Sequence, residues 1–321
     1  MRLVIGTRGS ALARWQAEHV ARQLRDADPD LEVELKIIST KGDRIQDVPL
    51  ARVGGKGLFV KEIEEALLRR EVDLAVHSIK DLPTDLVQGL TLAAITRRED
   101  PRDALVSRKG TLLELPRGAV LGTSSLRRRC QALALRPDLE VRDLRGNVDT
   151  RLRKLDQGLY DAILLAAAGL HRLGHEDRVT EAMAPQRMIP AVGQGALGIE
   201  TREGQQELVA VLHDLATAWR VRAERALLQQ LGGGCQVPVA AHAVVQGTRL
   251  TLDGLVGHPD GAPVYRARGE GSTDAPEELG REVAADLLRQ GGDRVLQQVY
   301  GASWQPGQTS SALLVPVWRR G

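Results

Sequence analysis

The stretch AVLGTSSLRRRCQALALRPDLEVRDLRGNVDTRLRKLDQGLYDAILL, residues 119–165, decides the fold. Ala119–Gly122 is a short apolar run, and Thr123-Ser124-Ser125 follows with side chains suited to capping a helix. Leu126, Cys130 and Leu133 then recur at helical spacing, which predicts a helix over Ser125–Leu135. Val141–Leu144 reads as a second strand, Val148–Gln157 as a second helix and Asp161–Leu165 as a third strand. Strands joined by helices rather than tight turns are parallel neighbours, so the segment is the centre of an α/β sheet.

The same rhythm extends upstream. Leu3–Thr7 reads as a buried strand, and Ser10 is placed to cap a helix running to about Asp26, with Leu12, Trp15, His19, Val20 and Leu24 as its apolar stripe. Leu31–Ile38 alternates like a strand, with Leu31, Val33, Leu35 and Ile37 on one face. Gly54–Gly57 opens a predicted helix ending near Arg70, and Asp73–Ser78 and Leu90–Ile95 are further strands. Polar Thr96–Arg102, with Pro101, separates this unit from a second one that begins at Ala104–Ser107. Ile189–Gly195 (IPAVGQG) suggests a second crossing between the units, hence a hinge with a cleft between two lobes. The last third changes character. Ala241–Val245, Arg249–Leu255 and Val264–Gly269 look like antiparallel strands, and a helix over about Pro276–Gln290 follows. The expected architecture is α/β in three domains: two similar lobes, 1–97 with 196–215 and 98–195, and a small α+β domain over 216–321. The tail from Gly301 has little periodicity and reads as partly disordered.

Composition excludes several classes. Lys+Arg 44 against Asp+Glu 42 is too balanced for a protein that coats nucleic acid, and 2% aromatic residues offer little stacking surface. No apolar run approaches the roughly 18 residues of a membrane-spanning helix. The chain opens on strand-like Leu3-Val4-Ile5 with no secretory pattern, and its two cysteines make no disulfide framework, so a cytoplasmic setting is expected. No metal site is expected either, because neither cysteine nor histidine recurs at ligand spacing.

Within the basic residues, type and position are informative. Of the 44, 37 are Arg, whose forked guanidinium binds carboxylate or phosphate better than Lys does. Helix N-termini favour acids, yet Arg127, Arg128 and Arg129 open the 125–135 helix. Arg8 occupies the matching strand-to-helix turn of the first unit, and Arg145 and Arg151 flank the next. Ligands of open α/β sheets bind at these carboxyl ends, so the pattern indicates a cleft for a ligand with many anionic groups. Arg129, Arg142 and Arg153 read instead as solvated helix or strand positions. Asp81, after Lys80 at the end of the 74–78 strand, reads either as a turn carboxylate before Pro83 that caps local backbone or as a lone carboxylate among cations, suited to holding an N–H group or shuttling a proton. His77 reads as a packing residue. Cys235, after three glycines, is a candidate nucleophile or attachment point, whereas Cys130 reads as core.

TRGSALA (7–13), GGKGLF (54–59), AVHSIKDLP (75–83), REDPRDA (98–104), GTSSLRR (122–128), LRGNVDTRL (144–152), PAVGQG (190–195) and GGCQVP (233–238) together resemble the porphobilinogen deaminase (hydroxymethylbilane synthase) family. The resemblance implies three domains, the first two like the lobes of two-lobed anion-binding proteins. It implies an enzyme that joins four porphobilinogen molecules with loss of ammonia, on a dipyrromethane held by a thioether at Cys235, the linear tetrapyrrole being released by water. Asp81 matches the catalytic aspartate, and Ser78 and Lys80 match cofactor contacts. Arg8, Ser10, Arg127, Arg128, Arg145 and Arg151 match positions that hold acetate and propionate groups, with Thr123 and Ser125 beside them. Lys56 and Phe59 lie in a loop over the cleft, and Gln194 in the crossing segment. The family also implies a monomer. Arg52 stands where many relatives have Lys, Ala11 where many have Pro, and residues 301–321 match nothing in the family.

A two-lobed anion sensor would share the fold and the arginines. It would give no reason for GGGCQVP or for Asp81 among cations.

Overall fold

The computed structural model describes residues 2–40, 42, 60–232, 237–301 and 304–307. Strands β1 (Arg2–Thr7), β2 (Glu32–Ile37), β3 (Leu74–Ser78) and β4 (Leu90–Ile95) enter the first sheet, with helices α1 (Ala11–Ala27) and α2 (Lys61–Leu68) against it. The chain then crosses over and builds β5 (Asp103–Ser107), β6 (Val120–Gly122), α3 (Leu126–Leu135), β7 (Glu140–Arg142), α4 (Val148–Asp156), β8 (Ala162–Ala166), α5 (Ala167–Arg172) and β9 (Glu181–Ala182). It returns as β10 (Leu197–Arg202), which inserts antiparallel between β3 and β4 of the first sheet. Helix α6 (Leu215–Gln230) leads to the antiparallel strands β11 (Val239–Gln246), β12 (Arg249–Gly257) and β13 (Val264–Ser272), covered by α7 (Pro276–Leu287) and α8 (Asp293–Tyr300).

The two five-stranded sheets have orders β2-β1-β3-β10-β4 and β7-β6-β8-β5-β9. In each, three parallel strands lie beside an antiparallel pair, so the lobes repeat one plan without repeating sequence. The chain passes between them at 96–102 and again at 189–196.

Three local expectations change. Helix α1 faces two partners, so its apolar stripe divides. Val20 and Leu24 enter the first lobe's core with Ala17 and Ala21, while Trp15 and His19 stack on one another, ring centroids 4.9 Å apart, and Arg172 of the second lobe lies over Trp15. Strand β2 is a sheet edge, which leaves Ile37 55% exposed rather than packed. The chain stays ordered past the predicted end of its last helix. It kinks at Gly291 (φ 114°), continues as α8 and buries Trp304; the reading of a partly disordered tail from Gly301 falls mostly on residues that are not described. Residues 308–321 lie outside the described part.

Buried charges tie the crossings together. Arg98 donates to Glu224 of α6 at 2.6 Å and to the Gln194 carbonyl at 2.8 Å. Glu224 also accepts from the backbone N–H of Gly193 and of Ala243, so one carboxylate joins both crossings to the third sheet. Arg129, expected on a solvated face, instead donates to the carbonyls of Val141 and Pro259, because the β12–β13 hairpin docks on α3.

Candidate functional site

Strand-to-helix turns of both lobes supply the site. Ser10 caps α1 by accepting from Ala13 N–H at 3.3 Å, and Ser125 caps α3 by accepting from Arg128 N–H at 3.3 Å. Asn147, not singled out from the sequence, caps α4 through Thr150 N–H at 2.9 Å. Strand β3 ends in a single 3₁₀ turn, Ile79–Asp81, which presents Lys80 and Asp81. That turn is held because Ile79 N–H bonds the Ala196 carbonyl and its side chain fills space left open by Gly193 and Gly198.

At the centre is an aspartate the sequence reading did not single out, although it lies inside the REDPRDA motif. Asp103 is fully buried and accepts from Arg127 Nη1 at 2.5 Å, Arg127 Nη2 at 3.1 Å, Arg128 Nε at 2.9 Å and Gln194 Nε2 at 3.1 Å. The two guanidinium groups hold its carboxyl below the usual carboxylate range despite burial. Arg127 also donates to the Ile189 carbonyl and Arg128 to the Leu164 carbonyl, which fixes both planes. Asp81 is therefore one of two carboxylates in the cluster, not a lone one.

The cations around it outnumber the acids. Lys80 is half-buried, and the surrounding protein strips its ammonium of solvent and lowers its pKa to about 8; Asp81 opposes that shift, while Arg128 and Arg127 add to it. Burial, Arg128 and Arg145 bring the Arg151 guanidinium down to about 10. Arg128 is likewise lowered, by burial first and then by Arg127 against the opposing pull of Asp103. Burial lowers Arg145 too, and its Nη1 is buried without a hydrogen-bond partner. An unpaired buried donor costs about 1–3 kcal/mol, so such an atom points to an acceptor supplied by a ligand. Among the described residues, Lys80, Arg127, Arg128, Arg145 and Arg151 against Asp81, Asp103 and Asp143 leave a surplus of cations suited to an anionic ligand.

Of the other residues singled out, Ser78 accepts from Gln16 Nε2 at 3.0 Å, Thr123 accepts from Ser125 N–H at 3.2 Å, and Arg8 lies half-buried in the β1–α1 turn. Gln194 donates to the Pro101 carbonyl at 2.7 Å, which ties one crossing to the other. His77 is buried and bonded to Glu200 at 2.9 Å, a packing role. Lys56, Phe59 and Cys235 lie outside the described residues. Arg172, donating to the Gly195 carbonyl at 2.7 Å with its guanidinium lowered to about 10 by burial, went unnoticed in the sequence because it ends a helix rather than beginning one. Among the described residues no group of His, Cys, Asp and Glu is arranged to hold a metal ion.

Two family models match. One, described as "Porphobilinogen deaminase, dipyromethane cofactor binding domain", matches residues 3–210, and one described as "Porphobilinogen deaminase, C-terminal domain" matches residues 218–289. The chain belongs to the porphobilinogen deaminase family. It is a transferase of tetrapyrrole biosynthesis that polymerises porphobilinogen, with loss of ammonia, into the linear hydroxymethylbilane, and its cofactor is a dipyrromethane. The residues present suit a porphobilinogen deaminase cofactor, because two pyrroles bring several carboxylates to a cluster with surplus cations and an unpaired Arg145 donor.

Among solved structures, this chain is distantly similar to a TRAP periplasmic solute binding protein from Desulfovibrio salexigens, with 9% identity over 68% of this chain and 73% of that one and a TM-score of 0.41. The periplasmic VFT2 domain of Bordetella pertussis BvgS shares 15% identity over 66% and 85% of the two chains (TM-score 0.39), and the methionine binding protein MetQ 15% over 66% and 88% (TM-score 0.40). No helix among the described residues is long and apolar enough to cross a membrane.

Proposed function

We propose that Asp81 is the catalytic carboxylate of this enzyme and that Cys235 carries the dipyrromethane through a thioether. One observation carries the reading: Asp81 and Lys80 of the first lobe lie within electrostatic reach of Arg128 and Arg151 of the second, while the buried carboxylate of Asp103 is taken up by Arg127 and Arg128. Lys80, Arg128, Arg145 and Arg151 bind the acetate and propionate groups of cofactor and substrate, aided by Arg8 and by the hydroxyls of Ser10, Ser78, Thr123 and Ser125. Arg127 and Gln194 act one layer behind, holding Asp103 and through it Arg128. When bound, the dipyrromethane supplies the pyrrole end on which the chain grows. Asp81 accepts a pyrrole N–H and offsets the positive charge left as ammonia departs, an electrostatic task worth about 10²–10³ in rate. At neutral pH Lys80 remains protonated and engages a carboxylate rather than a departing amine.

The domains of this reading are 1–97 with 196–215, 98–195 and 216–321, acting as a cytoplasmic monomer on porphobilinogen alone. Lys56 and Phe59 belong to a loop over the cleft.

The experiment is the intact mass of the denatured protein beside a Cys235→Ser control. Added mass of two linked pyrrole units, absent from the control, supports attachment at Cys235. An unmodified protein that also gains nothing on incubation with porphobilinogen refutes it.

A further inference from the structure

The turn that presents Asp81 is held on its near side by the returning crossing, through Ile79 N–H on the Ala196 carbonyl and the Ile79 side chain against Gly193. On its far side secondary structure gives no support. Leu82 N–H closes the turn on the Ile79 carbonyl, and residues 82–89 then belong to neither helix nor strand. Leu82 is extended (φ −88°, ψ 127°), as the residue before a proline prefers, and Pro83 has no N–H to donate.

The third domain supplies the hold. Arg225 of α6 donates from Nη1 to the Leu82 carbonyl at 3.2 Å, and from Nη2 to the Pro83 and Thr84 carbonyls at 2.6 and 3.1 Å. One helical turn further on, Gln229 Nε2 donates to Asp85 Oδ1 at 3.2 Å. A planar fork that reaches three successive carbonyls fixes the direction of the chain as well as its place, which a single point donor does not. The residue before Arg225 in the helix, Glu224, accepts from Gly193 N–H at 2.7 Å and so backs the near side of the same turn. Adjacent residues of α6 therefore grip the Asp81 turn from both directions.

We infer that Arg225 is a positioning residue for Asp81: by fixing the chain that leaves the 3₁₀ turn, it sets the direction of the carboxylate, so that the third domain governs an acid carried by the first lobe. The inference rests on Asp81 being the catalytic carboxylate.

The test measures kcat and KM for porphobilinogen, per molecule carrying the cofactor as counted by intact mass. The proteins are the unaltered chain, Arg225→Ala, Arg225→Lys, Asp81→Asn, the double variant Asp81→Asn with Arg225→Ala, and Arg222→Ala. The last loses only an exposed pair with Glu277 on the same helix. Iodoacetamide labelling of Cys130 reports folding, since that buried thiol is pushed up to about 12 and stays unreactive in the folded protein. Arg225→Ala lowers kcat about 10–100-fold and changes KM less than about threefold, the scale expected from misplacing a reacting group. Arg225→Lys, a point donor, falls between, and Arg222→Ala keeps the full rate. The double variant is no slower than Asp81→Asn alone, because Arg225 acts through Asp81. A folded Arg225→Ala with full kcat, a loss confined to KM, an equal loss in Arg222→Ala, or losses that multiply in the double variant each overturn the positioning role. If Arg225→Ala loses Cys130 protection or carries no cofactor, hydrogen exchange in Arg225→Lys decides. Faster exchange of the Ile79 and Leu82 amides with β8 unchanged supports the role, and unchanged exchange overturns it. An unchanged rate in Asp81→Asn refutes the catalytic reading and the inference with it, whereas a slow Asp81→Asn beside a full-rate Arg225→Ala removes the positioning role alone.

Discussion

Replacing Asp103 by Asn tests whether the arginine pair is held by one buried charge. The side chain keeps its shape, but one carboxylate oxygen becomes an NH₂ facing guanidinium N–H groups that now lie 2.5–3.1 Å from it. Arg127 and Arg128 are 4% and 6% exposed, so neither reaches water for compensation. Removing one partner of such a buried pair costs about 3–5 kcal/mol. With a urea m-value of about 2 kcal/mol/M for a lobe of this size, the second lobe's midpoint falls by roughly 2 M. Hydrogen exchange of the paired strands β5 and β8 reads that lobe alone. The sign with pH is fixed as well. A carboxyl held below its unfolded value contributes stability above the unfolded pKa, near 3.9, which is lost as pH falls towards the folded pKa; that acid-side slope disappears in Asp103→Asn. A midpoint shift below about 0.5 M, or an unchanged acid limb, refutes the view that Asp103 holds the pair.

Asp81→Asn leaves folding and porphobilinogen binding nearly intact while the rate of tetrapyrrole formation falls about 10²–10³-fold, read by absorbance of the oxidised product; an unchanged rate excludes Asp81 from the chemistry. On the proposed role of Lys80 as an anion-binding ammonium, with its pKa lowered to about 8, KM for porphobilinogen rises as pH climbs through 8. Lys80→Arg, with its permanent charge, flattens that rise, and a profile flat in both proteins refutes the assignment. Gly193 (φ 67°) sits against Ile79, so Gly193→Ala displaces the turn bearing Asp81 and lowers kcat as well as stability. Gly118→Ala, at φ 73° with open space around it, costs about 1 kcal/mol in strain and leaves kcat unchanged.

The alternation of strands and helices was legible because periodicity and caps are local: Ser10 and Ser125 announce α1 and α3, and both do cap them. So were the arginines at helix starts, since they oppose the helix dipole and therefore ask for a reason. Strand β10 was not individually legible, because LGIETR has only Leu197 and Ile199 as large apolar side chains before the polar Glu200, Thr201 and Arg202, and only the crossing at 189–196 sends it back between β3 and β4. Asp103 stood just before the strand read at Ala104–Ser107 and drew no notice. Its importance comes from two guanidinium groups more than twenty positions away.

By itself, then, the sequence determined the α/β class, two lobes, the cationic turns and a family whose motifs name Asp81 and Cys235. Tertiary structure alone decided that Arg127 and Arg128 pair with a buried Asp103, that one buried carboxylate locks both crossings to the third sheet, and that Gly307 returns to cap α6. Local signals depend on neighbours a few residues apart. Charge pairing and burial depend on distance in space, which no single stretch of chain contains.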